Sequence, residues 1–238
     1  MNRRGYRSSI PKRAREVVCE RHENGAKKET IYRVGKQIVG RRLWYENGEV
    51  DIEYGLREGV KHGTEFHFDE SGTLTFMEPF RNGKIHGTAC QWSQTDGRLL
   101  ITYTLRHGVG LDLWCHDDGR LAEQHYFPDN GEIGYMRWWD HDNQTIFMEY
   151  YYLLGVGYHG IHREWNDKGR LSRRYPQYLV NGEKVTKRQY LRACESDNLL
   201  IPFRVEDNEP YRELPAEYVA QQKRTGRRWA QCGGYWGE

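Results

Sequence analysis

Three of the four His–Gly pairs in this sequence have the type and spacing that could most readily do chemistry: His62–Gly63, His86–Gly87 and His159–Gly160. An imidazole can act as a general base or a metal ligand. The stretch GVKHGTEFHFDESG, residues 59–72, adds an acidic cluster and a second glycine, which are residue types found in phosphate-binding loops and metal sites. The pairs recur along the chain, however, whereas a catalytic site is normally singular. We therefore expect each histidine to brace a tight turn by hydrogen bonding.

The other catalytic arrangements are weaker still. His116, Asp117, Asp140 and His141 could be combined into a metal centre, but they fall in neighbouring repeat units. Strands about 4.8 Å apart would separate corresponding turns by about 10 Å, whereas zinc ligands lie about 2 Å from the metal. The sequence has no GxSxG motif and no glycine loop ending in GK[ST]. We therefore expect a protein that is not an enzyme, with no metal, no cofactor and no small-molecule substrate.

Composition favours a protein of many short strands. The 238 residues are 13% aromatic and 29% charged, include 26 glycines, and have a net charge of +2. Aromatic, glycine-punctuated chains are typical of β-sheets. No apolar run approaches the roughly 18 residues of a membrane-spanning helix, and no apolar segment typical of a secretory signal follows the basic N-terminus. Five scattered cysteines without a CxxC motif are typical of reduced thiols, and we expect a cytoplasmic location.

An internal repeat organises most of the chain. Glycine or asparagine closes an acidic turn at spacings of 22 to 26 residues, at Gly25, Gly48, Gly72, Gly97, Gly119, Asn143 and Gly169. Asparagine is the usual second choice after glycine where the backbone needs a positive φ. Two further glycine series, beginning at Gly35 and Gly40, keep the same period. A fixed period of this length indicates a repeat architecture.

Each repeat reads as one β-hairpin. Val50, Ile52, Tyr54 and Leu56 alternate with polar residues, so they should share one face of a strand. Turn residues then lead into a shorter aromatic strand. We therefore predict an all-β repeat fold, an elongated single-layer antiparallel meander of about seven hairpins over residues 17–183. A basic arm or cap, residues 1–16, precedes the hairpins, and a small helical cap with a flexible tail, residues 184–238, follows them.

The C-terminal segment has helix signals. In VTKRQYLRACE, residues 185–195, Thr186 and Gln189 have the spacing of a capping box. We expect this helix to pack on the last hairpin, a second short helix to begin near Pro215, and the tail from Gly226 to be mobile.

The turn sequences resemble those of MORN (membrane occupation and recognition nexus) repeats. GVKHG at 59–63 and GKIHG at 83–87 match the G-x-x-H-G turn, and GVGYHG at 155–160 is a stretched version. WYENGEV, WCHDDGRL and WNDKGRL are similar to the bacterial MORN-variant repeat, which occurs in proteins often labelled as antitoxins. The resemblance covers about residues 17–182. It implies a β-hairpin scaffold and, by analogy with those relatives, a toxin or effector as the partner.

Charge is sorted between the two ends of the hairpins. The turns of the first glycine series are acidic, whereas Arg33, Arg57, Arg81 and Arg106 lie at the opposite turns. Such sorting could orient a partner. Alternatively, aspartate and asparagine simply suit turns while lysine and arginine keep the remaining surface soluble.

Protein recognition is the function we expect, with a partner-binding patch formed by Trp138, Trp139, Phe147 and Tyr151. Aromatic side chains of this kind are common interface anchors, although any one of them could instead belong to the core. The alternative is an adaptor for anionic lipid or nucleic acid. Its polyanion-binding residues would be those of the basic N-terminal arm, together with the basic edge of the sheet: Arg3, Arg4, Arg7, Lys12, Arg13 and Arg15.

Overall fold

The computed structural model describes residues 6–223. Half of the chain is antiparallel β-strand and 8% is helical, so the prediction of an all-β hairpin meander with a small helical C-terminus is confirmed. The strands, in chain order, are β1 Arg15–Arg21, β2 Lys27–Val34, β3 Gln37–Trp44, β4 Val50–Arg57, β5 Val60–Lys61, β6 Gly63–Phe68, β7 Leu74–Arg81, β8 Lys84–Ile85, β9 Gly87–Trp92, β10 Leu99–Leu105, β11 Gly110–Cys115, β12 Leu121–Phe127, β13 Ile133–Trp139, β14 Ile146–Leu153, β15 Gly157–Tyr158, β16 Gly160–Glu164, β17 Gln177–Val180 and β18 Glu183–Val185.

The helices are confined to the C-terminal segment: α1 is Lys187–Cys194, α2 is Ala216–Gln222, and a 3₁₀ turn covers Glu206–Asn208. The capping box predicted for α1 is present, with Thr186 and Gln189 bonding each other's backbone N–H groups. Pro215 immediately precedes α2. No helix in the described part of the chain is both long and apolar enough to cross a membrane. The tail from Gly226, which we expected to be mobile, lies outside the described residues.

The strands form two sheets rather than one continuous meander. A ten-stranded sheet has the order β1-β2-β3-β4-β6-β7-β9-β10, with β5 and β8 paired to β4 and β7. An eight-stranded sheet has the order β11-β12-β13-β14-β16-β17-β18, with β15 paired to β14. The chain divides correspondingly into two compact units. Among the described residues, unit 1 contains 6–108 and 117–119, and unit 2 contains 109–116 and 120–223.

The His–Gly pairs have the structural role that the sequence predicted. Nδ1 of His86 accepts a hydrogen bond from the backbone N–H of His107, 3.1 Å away, in the following turn of the same kind. Nδ1 of His62 accepts from Asn82, and Nδ1 of His159 accepts from Asn181. Asn143 adopts a φ of 55°, as expected where asparagine replaces the turn glycine. Each histidine therefore ties one hairpin to the next.

The N-terminal segment, residues 6–14, lies across a face of the unit 1 sheet and not along the edge strand β1. The Tyr6 ring contacts Phe66 and Phe68 at centroid distances of 4.9 and 5.3 Å. The hydroxyl of Tyr6 donates to Glu53, 2.7 Å away. Ser9 bonds both backbone groups of Thr64. The segment is therefore an integral part of the fold of unit 1.

Side chains along β4 alternate between the two faces of the sheet, as predicted. The face that carries the polar residue Glu53, however, is more buried than the face that carries the apolar residue Ile52. Glu53 lies opposite Arg42 in the register, while Ile52 lies opposite Leu43 on the other face. Glu53 is completely buried, whereas Ile52 is half-buried. Arg42 forms a salt bridge with Glu53 at 2.6 Å, and Tyr6 completes the site. Pairing and hydrogen bonding compensate for removing the carboxylate from water.

The C-terminal segment covers one face of the unit 2 sheet. Tyr190 of α1 is fully buried in a cluster with Ile161, Tyr178 and Leu200, so the expectation that this helix packs on the last hairpin is confirmed. Further along the segment, Trp165 donates from Nε1 to the carbonyl of Asn208, 2.7 Å away. We call this side of unit 2 the covered face.

Candidate functional site

The four residues predicted to form a binding patch do not lie together on one surface. Alternation along β14 places Phe147 and Tyr151 on the same face as Glu149, which is the covered face, and strand register places Trp138 beside Met148 on the opposite face. Phe147 is 41% exposed, and Trp138 and Tyr151 are half-buried.

Trp139 does not belong to a surface patch. Its side chain is 1% exposed and lies opposite the buried Ile146, after a register shift at the end of β13. A partner therefore cannot reach the indole without opening the sheet. Its role is the core packing that the sequence left open as the alternative.

The covered face is organised around one buried carboxylate. Glu149 is 1% exposed. It forms salt bridges with Arg137 at 2.6 Å, Arg212 at 3.0 Å and Arg163 at 3.3 Å. Burial alone would raise the pKa of Glu149, but the hydrogen bonds and charges of Arg212 and Arg137 outweigh burial and lower that pKa. Because Arg212 comes from the C-terminal segment, this face is occupied by the chain itself.

The opposite face of unit 2 carries a continuous row of rings, which we call the aromatic face. The centroid of Trp138 lies 5.5 Å from those of both His125 and Tyr150. Tyr150 meets Tyr158 edge-on at 4.9 Å and His162 at 5.6 Å. The row ends at Tyr175, 5.0 Å from His162. These distances are in the range of favourable aromatic pairs, and Tyr158 is 43% exposed.

Carboxylates flank both ends of this row. At one end, His125 lies 3.5 Å from Asp112 and 3.2 Å from Glu123. Burial lowers the pKa of His125, but the hydrogen bonds that its ring donates to the carboxylates of Asp112 and Glu123 outweigh burial and raise that pKa to about 9. His125 is therefore protonated at neutral pH.

At the other end, Glu164 accepts a hydrogen bond from the Tyr175 hydroxyl and lies 3.4 Å from Nε2 of His162. Burial lowers the pKa of His162, and Glu164 offsets this only in part. His162 is therefore mainly neutral at neutral pH, and no lysine or arginine of the described residues forms an ion pair with Glu164. Aromatic rings beside a carboxylate can receive a cation or the apolar part of another protein.

The four residues considered as metal ligands and set aside, which include His116 and His141, have a different arrangement from the one that strand spacing predicted. The rings of His116 and His141, expected about 10 Å apart from strand spacing, stack at a centroid distance of 4.1 Å. Side chains at neighbouring turns therefore approach more closely than their strands do. Across residues 6–223, no group of three or more His, Cys, Asp or Glu residues is arranged to hold a metal ion.

The basic residues named for the alternative function lie in and beside the N-terminal segment. Arg7, Lys12, Arg13 and Arg15 are all exposed. Arg3 and Arg4 lie outside the described residues. One exposed arginine also stands near the same end of successive hairpins in unit 1, and together these residues form a basic rim: Arg33, Arg57, Arg81 and Arg106.

Comparison with known proteins adds no relative on which to base a function. No protein-family model matches the chain, and no curated protein matches its sequence. The resemblance to MORN-variant repeats therefore stays a prediction.

Proposed function

We propose that this chain is a non-catalytic protein-recognition scaffold and that the aromatic face of unit 2 is its partner-binding surface. The observation that carries the proposal is the uninterrupted row from His125 through Trp138, Tyr150 and His162 to Tyr175. It lies on the face opposite to the one the C-terminal segment occupies. Half-exposed aromatic side chains in contact with one another are typical anchors of protein interfaces.

The resemblance of the turns to MORN-variant repeats supports a narrower proposal. By that analogy the partner is a toxin or effector whose activity the chain blocks by sequestering it. The β-hairpin scaffold supplies rigidity, and single side chains on its faces supply specificity.

Site-specific photocrosslinking tests the proposed surface. A photoreactive amino acid at Tyr158, which is 43% exposed, should crosslink the partner protein in cells. The same group at Tyr211, which is 65% exposed but outside the ring row, is the matched control. We expect a discrete protein adduct at 158 and not at 211, lost when Trp138→Ala is added, and the purified partner should rebuild the complex.

Equal adducts at both positions, or adducts that a nuclease removes, would contradict the proposal. An aromatic protein interface should also tolerate salt, because few of its contacts are between exposed charges.

The basic rim of unit 1 favours a second candidate function, the binding of a phosphate-bearing polyanion. Arginine is well suited to phosphate because its guanidinium can bond two oxygens at once. Replacing Arg33, Arg57, Arg81 and Arg106 by glutamine should then abolish binding to a single-stranded oligonucleotide or to phosphatidylserine vesicles. The steep salt dependence of such binding distinguishes it from recognition through the aromatic face.

A further inference from the structure

Two hairpin groups, one in each unit, are structurally equivalent by strand register. In unit 1, Ile52 pairs with His67 and Leu56 pairs with Lys61. In unit 2, Met148 pairs with Glu164 and Tyr152 pairs with Tyr158. Superposing these registers makes Lys61 equivalent to Tyr158, Tyr54 to Tyr150, Glu65 to His162 and His67 to Glu164.

In unit 1 this position is an internal cation site. The Nζ of Lys61 lies over the Tyr54 ring at 5.0 Å and over the Phe80 ring at 4.8 Å. Lys61 also forms an ion pair with Glu65, which His67 contacts at 2.9 Å. Rings and a carboxylate together stabilise an ammonium more than either does alone.

In unit 2 the same site keeps one ring, Tyr150, and a carboxylate, but it has no lysine, and the register places Leu179 where unit 1 has Phe80. His162 stands at the position of Glu65 and Glu164 at that of His67, so the imidazole and the carboxylate have exchanged places. Tyr158 stands at the position of Lys61. Within residues 6–223, no lysine or arginine lies over the rings of Tyr150, Tyr158 or Tyr175. In the described part of the chain, the Glu164 carboxylate accepts a hydrogen bond from Tyr175 and contacts His162, and its side chain is 36% exposed. The charge of Arg174 acts on Tyr175, but Arg174 forms no ion pair with Glu164.

We propose that an arginine or lysine side chain of the partner protein binds at this site, against the rings of Tyr150 and Tyr158 and beside the carboxylate of Glu164. The inference rests on the proposed function and names the chemistry of its partner: a basic, exposed protein segment. The occupant follows from charge complementarity, because Glu164 has no ion pair with a lysine or arginine of the described residues, whereas its counterpart site holds Lys61. The incoming cation therefore replaces water on Glu164 and gains contact with the ring faces.

The probe for this inference is a fluorescein-labelled peptide of alternating glycine and arginine. Its matched control is the same peptide with citrulline in place of arginine, which has a similar shape and no charge. Binding is followed by fluorescence anisotropy with the full-length chain. We expect the arginine peptide to bind and the citrulline peptide to bind at least about tenfold more weakly, as removal of a cation–π contact and an ion pair should cause.

Three variants locate the binding. Tyr158→Lys supplies the cation from the chain itself, as Lys61 does in unit 1, and should reduce affinity by about tenfold or more. Glu164→Gln should weaken binding similarly, whereas Tyr158→Phe keeps the ring and should bind like the wild type. Near-ultraviolet circular dichroism checks that each variant retains its packing.

Equal binding of both peptides, or undiminished binding by Tyr158→Lys, would overturn the inference. These outcomes leave the proposed function intact if the crosslink at position 158 still forms, because the partner would then dock through a neutral segment. If the crosslink at position 158 does not form, both the proposed function and this inference are wrong.

Discussion

At the residue scale, the two histidines of the aromatic face behave as opposites. His125 is held between Asp112 and Glu123, and those carboxylates raise its pKa to about 9 despite burial. For His162, burial is the larger effect and the pKa is lowered. One face therefore carries a fixed cation at one end and a neutral imidazole at the other.

The His125 shift makes stability depend on pH in a defined direction. The pKa rises from an ordinary 6.5 to about 9 on folding, so the folded state binds the proton more tightly. The stabilising contribution is complete below pH 6.5 and is lost as pH rises through 9. We expect NMR titration to place His125 near the upper value, and denaturant unfolding to show falling stability over this window.

Asp112→Asn is the control for this prediction, because it removes a carboxylate at nearly constant shape. It should bring the pKa of His125 down and flatten the stability profile between pH 6.5 and 9. Titration of His125 at or below its ordinary value in the wild type would contradict the arrangement described.

At the element scale, the N-terminal segment depends on close approach to the sheet. A Cβ placed on Gly40 would lie 2.5 Å from Cγ1 of Ile10 and 3.0 Å from the carbonyl of Tyr54. Ile10 itself is only 7% exposed. The glycine therefore allows the segment to lie flat on the unit 1 strands.

Gly40→Ala should consequently displace the segment and lower the free energy of unfolding by about 1–3 kcal/mol, as overpacking typically does. Ile10→Ala frees space at the same contact, so Gly40→Ala should cost less in an Ile10→Ala background. Denaturant unfolding of the four proteins in this double-mutant cycle measures the coupling. Equal costs in both backgrounds would show that Ile10 does not restrict position 40.

Elements marked by local signals were predictable from the sequence, while burial was not. The capping box of α1 and the left-handed turn at Asn143 involve only neighbouring residues, so residue type alone indicates them. The burial of Glu53 and Trp139 depends on which face a distant segment covers and on a register shift. Alternation predicts that two faces exist but does not say which one is covered.

At the scale of the whole molecule, each unit has a buried glutamate at an equivalent position, and a terminal segment contributes a hydrogen bond to its carboxylate. In unit 1, Glu53 is bonded by Arg42 and by Tyr6 of the N-terminal segment. In unit 2, Glu149 is bonded by Arg137 and by Arg212 of the C-terminal segment. Each terminal segment therefore stabilises the unit that it covers.

This organisation predicts that a destabilising substitution in one unit lowers the stability of that unit and has little effect on the other. Tyr190 is fully buried and donates a hydrogen bond to the carbonyl of Ile201, 2.7 Å away. Tyr190→Ala should cost about 3–5 kcal/mol, as removal of a buried aromatic ring typically does. Hydrogen exchange should accelerate in β16–β18 and α1, while the strands of unit 1 keep their protection.

Phe66→Ala is the matched control, because Phe66 is 3% exposed in the core of unit 1. It should produce the reverse pattern, with faster exchange in β4, β6 and β7. An equal rise in both units after either substitution would mean that the chain unfolds as one cooperative body.

The braced turns have a consequence for how a gene of this kind can lengthen. The Nδ1 atom of each imidazole accepts a hydrogen bond from the turn that follows it, as His62 does from Asn82 and His86 does from His107. If one complete repeat of about 24 residues is duplicated or deleted, every remaining histidine is still followed by a turn whose backbone N–H can donate a hydrogen bond to it. Evolution, or a designer, can add or remove whole hairpins without inventing a new junction, and then alter recognition by changing single side chains such as that at position 158.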